Sequence, residues 1–399
     1  MMNLKTITAG FGLVLIVGCG GSSDNDVAPP PAVTKYTYQV PANINDGWDV
    51  RHAQDLGVNV GALEKMVDKA RQGEFSHIDA IAVSYQGQLI FDETIRTRLD
   101  RFDEMVGNQD LDLHAMFSTS KTIASIAAGV AIDQGYIADV DTPYLALFNY
   151  VNYQNWDPQK SQISLEDALT MRFGLDWNEW DPPYSSNDNQ MHQLYNNEYD
   201  ISKAFLDLPI VHEPGTRFAY STPGSASIGQ ALEHTTGMTL EQFGSQYLLG
   251  PLTISQIEAR QTPSGLMDLG RGLFLTARDL LKFGQLYLND GQWQGQQLIS
   301  KAWVNASTQS YFDLSWLSPE KFDWQVSGYG YLWWLGYFEI EQTEYLSYAG
   351  RGFGGQTLMV IPELELVIVV FASDWDSLES ETNAPFKVMR EAILPAILN

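Results

Sequence analysis

A single cysteine, Cys19, leaves the chain without any possible internal disulfide, so burial and hydrogen bonding must hold the fold. Basic residues are scarce as well: 23 Lys and Arg face 49 Asp and Glu, a formal net charge of −26. That balance excludes nucleic acid and anionic membrane surfaces as partners, because both require a positive face. The histidines, His52, His77, His114, His192, His212 and His234, form no H-x-x-x-H or related pair. No metal centre and no cofactor are therefore expected, and His114 reads as structural. No G-x-S-x-G elbow occurs, which argues against an α/β-hydrolase with a Ser-His-Asp triad. Gly350, Gly352 and Gly355 satisfy G-x-G-x-x-G, but a strand-like run follows them, so no dinucleotide site is implied. Internal repeats are missing.

What is present begins at the N-terminus. Lys5 precedes an apolar run, Ile7–Gly18, that is too short to span a bilayer and ends in Ile16-Val17-Gly18-Cys19. That ending resembles a bacterial lipobox. Residues 1–19 are expected to be a lipoprotein signal peptide, with Cys19 the lipidated residue and the only link to a membrane. Gly20 rather than Asp follows, which fits a cell-envelope protein on the periplasmic side of the outer membrane if the host is Gram-negative. Residues 20–45 open with "GGSSDNDVAPPPAVT" and read as a flexible linker.

The 399-residue chain is 44% hydrophobic, enough for a large core. Residues 81–95 read as two strands around Gln86-Gly87, and "QTLMVI" and "ELVIVVFAS" as a closing hairpin around Pro362-Glu363. "YGYLWWLGYFEI" and "EYLSYAG" supply two more strands. Helical signals fill the middle: 118–134, a helix capped by Ser164, "DISKAFLDL", "SASIGQALEHTTG", and a helix starting from Thr276. The spacing predicts an α/β (α+β) protein. An antiparallel sheet from both chain ends, 46–116 and 265–399, carries an inserted mainly helical domain, 117–264, and 46–399 form one unit.

Within "FSTSKTIASIAAGVAI", Ser118 and Lys121 stand three residues apart at the head of the uncharged run Thr122–Ile132. That spacing puts both side chains on one helix face. A lysine among apolar neighbours loses its proton more readily, and neutral lysine can deprotonate a serine. The N–H of Ser118, at a helix start, can help hold an oxyanion. Ser318-x-x-Lys321 repeats the pattern in a polar, proline-containing stretch, where Ser318 reads as a helix cap.

"FSTSKTIASIAAGVAIDQGYIADVDTPY" resembles the active-site helix of serine hydrolases related to penicillin-binding proteins and class C β-lactamases. "LEDALTMRFGLDWNE", "PGTRFAYSTPGSASIG" and "YAGRGFGGQTLMVIPELELVIVVF" resemble that family's later stretches in its order. The "GLDWNE" and "GFGGQ" segments are most similar to esterase and nylon-oligomer-hydrolase-like members. The resemblance implies a β-lactamase/transpeptidase-like fold with Ser118 as nucleophile and Lys121 with Tyr220 as proton carriers. It also implies an oxyanion hole of the Ser118 and Phe353 N–H groups. Tyr-x-Asn occurs literally at Tyr150, Tyr153, Tyr195 and Tyr287. Tyr220-Ser221-Thr222 is preferred because a Pro-Gly turn precedes it and a small-residue helix follows. The third motif falls on Gly350-Arg351-Gly352, whose first residue lacks the family's cation, with Arg351 one position on. Thr222, Trp177, Trp180 and Tyr184 are candidate pocket residues.

The expected activity is cleavage of a small-molecule ester or amide through an acyl-enzyme on Ser118, of carboxylesterase or amidase type. A β-lactamase or D,D-peptidase on the same fold is the alternative. A non-catalytic envelope-binding lipoprotein is the alternative of another class.

Overall fold

The structure, a computed structural model, describes residues 35–75, 77–95, 113–318, 322–374 and 378–398. The expected signal peptide, Cys19 and the first part of the expected linker lie outside these residues. The linker's end needs correcting. Tyr36 and Tyr38 are buried, and the Tyr38 hydroxyl donates to Ile90 O at 2.7 Å while accepting from Ala53 N. Their backbone N–H groups donate to Asp68 and Glu64. Two aromatic rings spaced by one residue bury more apolar area than a solvated linker can forgo.

Eight strands form the main sheet: β1 (Ile78–Tyr85), β2 (Gln88–Thr94), β3 (Phe312–Asp313), β4 (Gln325–Tyr329), β5 (Trp334–Ile340), β6 (Thr343–Gly352), β7 (Gln356–Ile361) and β8 (Leu366–Ala372). Their order is β2-β1-β8-β7-β6-β5-β4-β3, and every pairing is antiparallel. The N-terminal hairpin joins the C-terminal strands one strand in from the sheet edge, where Ile81 pairs with Val370 and Val83 with Ile368. All of β8, "LVIVVFA", is buried, so both faces of the sheet are covered there. Gln86 and Gly87 turn β1 into β2 with φ of 51° and 76°, the left-handed pair that a two-residue hairpin needs.

The longer helices include α1 (Val60–Arg71), α2 (Ser120–Asp133), α3 (Thr222–Thr236) and α4 (Ala277–Leu288), of which α2 and α3 carry Lys121 and Thr222. Thr276 caps α4 by accepting from Asp279 N, Ser221 caps α3 by accepting from Gly224 N, and Gly237 ends α3 at φ 69°. The helix from Leu165 opens with a capping box between Ser164 and Asp167. α4 lies on the sheet against β7 and β8, and a methyl group on Gly284 would collide with Val367 and Leu358. The residues that Ser318 was expected to cap, 319–321 with Lys321 among them, lie outside the described residues. Ser318 itself follows the short turn Ser315–Leu317, and its hydroxyl bonds both the N–H and the C=O of Val326. Among the described residues, no helix is long and apolar enough to cross a membrane.

Because both neighbours of Gly284 belong to fully buried strands, Gly284→Ala should destabilise the fold through overpacking by about 2–3 kcal/mol. That exceeds the roughly 1 kcal/mol returned by alanine's better helix propensity. Urea denaturation checks it: an unchanged or higher midpoint would mean that the helix–sheet gap has room to spare.

Candidate active site

The site starts from one strained turn. Phe117 holds φ at 46°, unusual for a bulky side chain, and Phe117–Thr119 form a single 3₁₀ turn before α2. Ser118 therefore sits in that turn and not inside the α-helix that the sequence suggests. The Phe117 ring meets Phe353 edge-on at 5.6 Å and lies under the Arg260 guanidinium. Behind the turn, every residue from Ser120 to Ala131 is buried.

Small residues allow that depth. A Cβ on Gly352 would strike the carbonyl oxygen of Met116, and one on Gly350 would come within 2.7 Å of Thr122 Oγ1. Gly350 and Gly352 thus let the end of β6 lie directly on the turn that holds Ser118. This brings Arg351 and Phe353 to the same cleft as Ser118.

Lys121 is 1% exposed and makes three hydrogen bonds: to Ser118 Oγ at 2.9 Å, Thr222 Oγ1 at 3.0 Å and Gly270 O at 2.8 Å. Burial pushes its pKa down to about 8, against the raising effect of Glu179 and Asp268; Arg271 adds to the lowering. Its ammonium nitrogen also lies 4.8 Å from the centre of the Tyr220 ring.

Tyr220 is held on both sides. Trp180 stacks on it at 5.6 Å and Trp334 leans on it at 5.7 Å. Burial raises the Tyr220 pKa, with the Glu179 charge acting the same way, while the Ser118 hydroxyl and Arg351 pull it back. The group is a neutral phenol at ordinary pH. Of the literal Tyr-x-Asn residues, Tyr150 donates to Asp200, Tyr287 accepts from Ser307, and Tyr195 lies under Arg271. None of these, nor Tyr153, lines the cleft.

The expected pocket residues divide. Thr222, Trp180 and Tyr184 line the cleft, whose volume is about 560 Å³. Trp177 does not: it is buried against Phe205, and its indole N–H donates to Tyr220 O at 3.0 Å. It fixes the Tyr220 backbone from behind. Arg351 lies over the rings of Trp334, Trp324 and Phe386 at 5.1, 5.7 and 5.2 Å and has no ion pair among the described residues. Arg351 thus brings a cation to the cleft one residue after Gly350. His114 lies elsewhere, bonded to Asp79 at 2.8 Å and stacked on Phe371.

Sequence reasoning missed two members of the site. Glu179, 2% exposed, accepts from Thr222 N and Thr222 Oγ1, both at 2.5 Å, and from the Tyr184 hydroxyl at 2.7 Å. Gly270 offers its carbonyl to Lys121 and its N–H to Asp268. A signal for Glu179 existed: a carboxylate amid the aromatic residues of "LDWNEWDPPY". Gly270, a backbone acceptor more than a hundred residues from Lys121, had none.

The Beta-lactamase family model matches residues 72–391. The 6-aminohexanoate-dimer hydrolase of Paenarthrobacter ureafaciens is 26% identical over 280 residues, which span 66% of this chain and 66% of that protein. The lovastatin esterase of Penicillium rubens is 24% identical over 264 residues, 55% of this chain and 66% of that one. The chain thus spans just under two thirds of the length of these relatives. The solved octameric penicillin-binding protein homologue from Pyrococcus abyssi superposes with a TM-score of 0.60 at 16% identity, covering 84% of this chain and 77% of that one. At that identity the likeness is one of fold.

The burial of Lys121 has a direct readout. In protein labelled with ¹⁵N at lysine, the Lys121 amine should titrate at about 8, and its signal should vanish in Lys121→Met. Titration near the ordinary 10.5 would show that the hydrogen-bond acceptors outweigh burial.

Proposed function

The chain belongs to the Beta-lactamase family, and from that premise we propose that it is a serine hydrolase cleaving ester or amide bonds through an acyl-enzyme on Ser118. The observation that carries this reading is the 2.9 Å contact between the Ser118 hydroxyl and a buried lysine of lowered pKa. Neutral Lys121 takes the proton from Ser118 Oγ as that oxygen bonds to the substrate carbonyl carbon. The N–H groups of Ser118 and Phe353 hold the oxyanion that forms. Collapse breaks the bond to the alcohol or amine, which leaves with the proton held by Lys121 and passed through the Tyr220 phenol. Water then adds to the acyl carbon, returns a proton by the same route and frees the acid and Ser118. Tyr220 suits relay better than resting base, because its own pKa is raised while that of Lys121 is lowered.

The aromatic wall of Trp180, Tyr184, Phe117 and Trp334 supports an acyl or leaving group with apolar surface. The relatives named above as an aminohexanoate-dimer hydrolase and a lovastatin esterase support the amidase or esterase type. A second reading, β-lactamase or D,D-peptidase, draws support from Arg351, a cation in the cleft suited to a substrate carboxylate. We further propose that the enzyme works in the cell envelope, tethered at Cys19, on the strength of the lipobox-like Ile16-Val17-Gly18-Cys19.

Labelling with a fluorophosphonate probe tests the nucleophile: it should be complete in the wild type and absent in Ser118→Ala. Labelling that persists would overturn the assignment. With p-nitrophenyl butyrate, kcat/KM should rise with pH and level off above about 8, since only neutral Lys121 is a base and about a tenth of it is neutral at pH 7. A flat profile from pH 6 to 9 would rule Lys121 out as base. Turnover of nitrocefin without esterase or aminohexanoate-oligomer activity would select the second reading. In that case Arg351→Met should raise KM for nitrocefin far more than for the butyrate ester.

A further inference from the structure

Hydrogen-atom accounting around Lys121 assigns a role to a residue with no substrate contact. A neutral lysine amine has two hydrogens and one lone pair. Its three partners are Ser118 Oγ, Thr222 Oγ1 and Gly270 O. A carbonyl oxygen can only accept, so Gly270 takes one hydrogen. Thr222 Oγ1 could either donate to the amine or accept from it. If it donated, its proton would occupy the lone pair and Ser118 would face an N–H.

Glu179 removes that ambiguity. It is buried, and its Oε1 receives the Thr222 hydroxyl at 2.5 Å while its Oε2 receives the Thr222 backbone N–H at 2.5 Å. The Tyr184 hydroxyl also donates to Oε1, at 2.7 Å, which holds the carboxylate in place. A carboxylate is an acceptor only, so the single proton of Thr222 is committed to it.

We propose that Glu179 is the positioning residue of the site: by taking the Thr222 hydroxyl proton it makes Thr222 an acceptor and turns the Lys121 lone pair onto Ser118. The inference rests on the reading of Lys121 as the base. It also accounts for the departure from Tyr-x-Asn at this motif, since threonine and a remote carboxylate together give Lys121 one fixed acceptor. Other charged groups around Lys121 are Asp268, which raises its pKa, and Arg271, which lowers it; the Tyr220 phenol faces it across 4.8 Å.

The test is the full pH profile of kcat/KM for the purified protein and its Glu179→Gln, Thr222→Val and Thr222→Ser variants. In Glu179→Gln the new amide nitrogen would face the Thr222 hydroxyl and release its proton towards Lys121. The plateau should then fall about a hundredfold, within the range that a well-placed general base supplies. At the same time the rising limb should move to lower pH, because the Glu179 charge that raises the Lys121 pKa is gone. Thr222→Val should lower the plateau comparably, and Thr222→Ser should recover most of that loss. A plateau that falls in Glu179→Gln with the limb unmoved would indicate structural damage and overturn the proposal, as would Thr222→Val at wild-type activity. Lys121→Met separates the two levels. Fluorophosphonate labelling of Ser118 that survives in it would sink the base reading itself, whereas wild-type behaviour of Glu179→Gln would sink only the role of Glu179.

Discussion

The structure depends on keeping one lysine buried without letting a carboxylate touch it. A carboxylate about 4 Å from Nζ would interact by about 4 kcal/mol at an effective dielectric of 20, some three pKa units, enough to cancel the effect of burial. The site avoids this by holding each of its two acids behind an intervening residue, two hydrogen bonds from Nζ. Glu179 reaches Lys121 through the Thr222 hydroxyl, and Asp268 through the Gly270 peptide. Lys121 therefore has acceptors enough to be buried and too little negative charge nearby to stay fixed as an ammonium.

Much of the surrounding frame exists to bring those acceptors to one point. α2 is deep because the run Thr122–Ile132 behind Lys121 is uncharged and rich in small residues, and β6 can lie on its start because Gly350 and Gly352 have no side chains to obstruct Thr122 and Met116. The φ of 46° at Phe117 is part of the same constraint, since the chain must turn sharply out of the short strand His114–Ala115 into α2. Tyr220 is located by backbone and rings together. Trp177 holds its carbonyl, while Trp180 and Trp334 fix its plane over Lys121. Packing here sets protonation chemistry, because every contact that excludes water from Lys121 also lowers its pKa.

The local signals in the chain were strong where an element is decided by its own residues. Ser164, Thr276 and Gly237 bound helices through caps that a few neighbouring residues form among themselves. The hairpin around Gln86-Gly87 and the hydrophobic run of β8 were legible for the same reason. Legibility failed at Tyr36 and Tyr38, whose burial comes from partners on distant segments, Ile90 and Ala53 among them. It failed again at Trp177, where an aromatic residue near a cleft looks the same in sequence whether it faces substrate or core.

The sequence by itself determined the pairing of Ser118 with Lys121, three residues apart at the head of an uncharged small-residue run, with Tyr220 after a turn and glycines flanking Arg351. Those relations are short in sequence, so residue type and spacing carry them. Only the tertiary structure decided what surrounds the lysine. Thr222, Gly270 and Glu179 come from three separate segments, and their part depends on which atom donates each hydrogen to which acceptor. Spacing cannot encode that directionality. It arises when three remote segments close around one buried amine and each hydrogen is left a single acceptor.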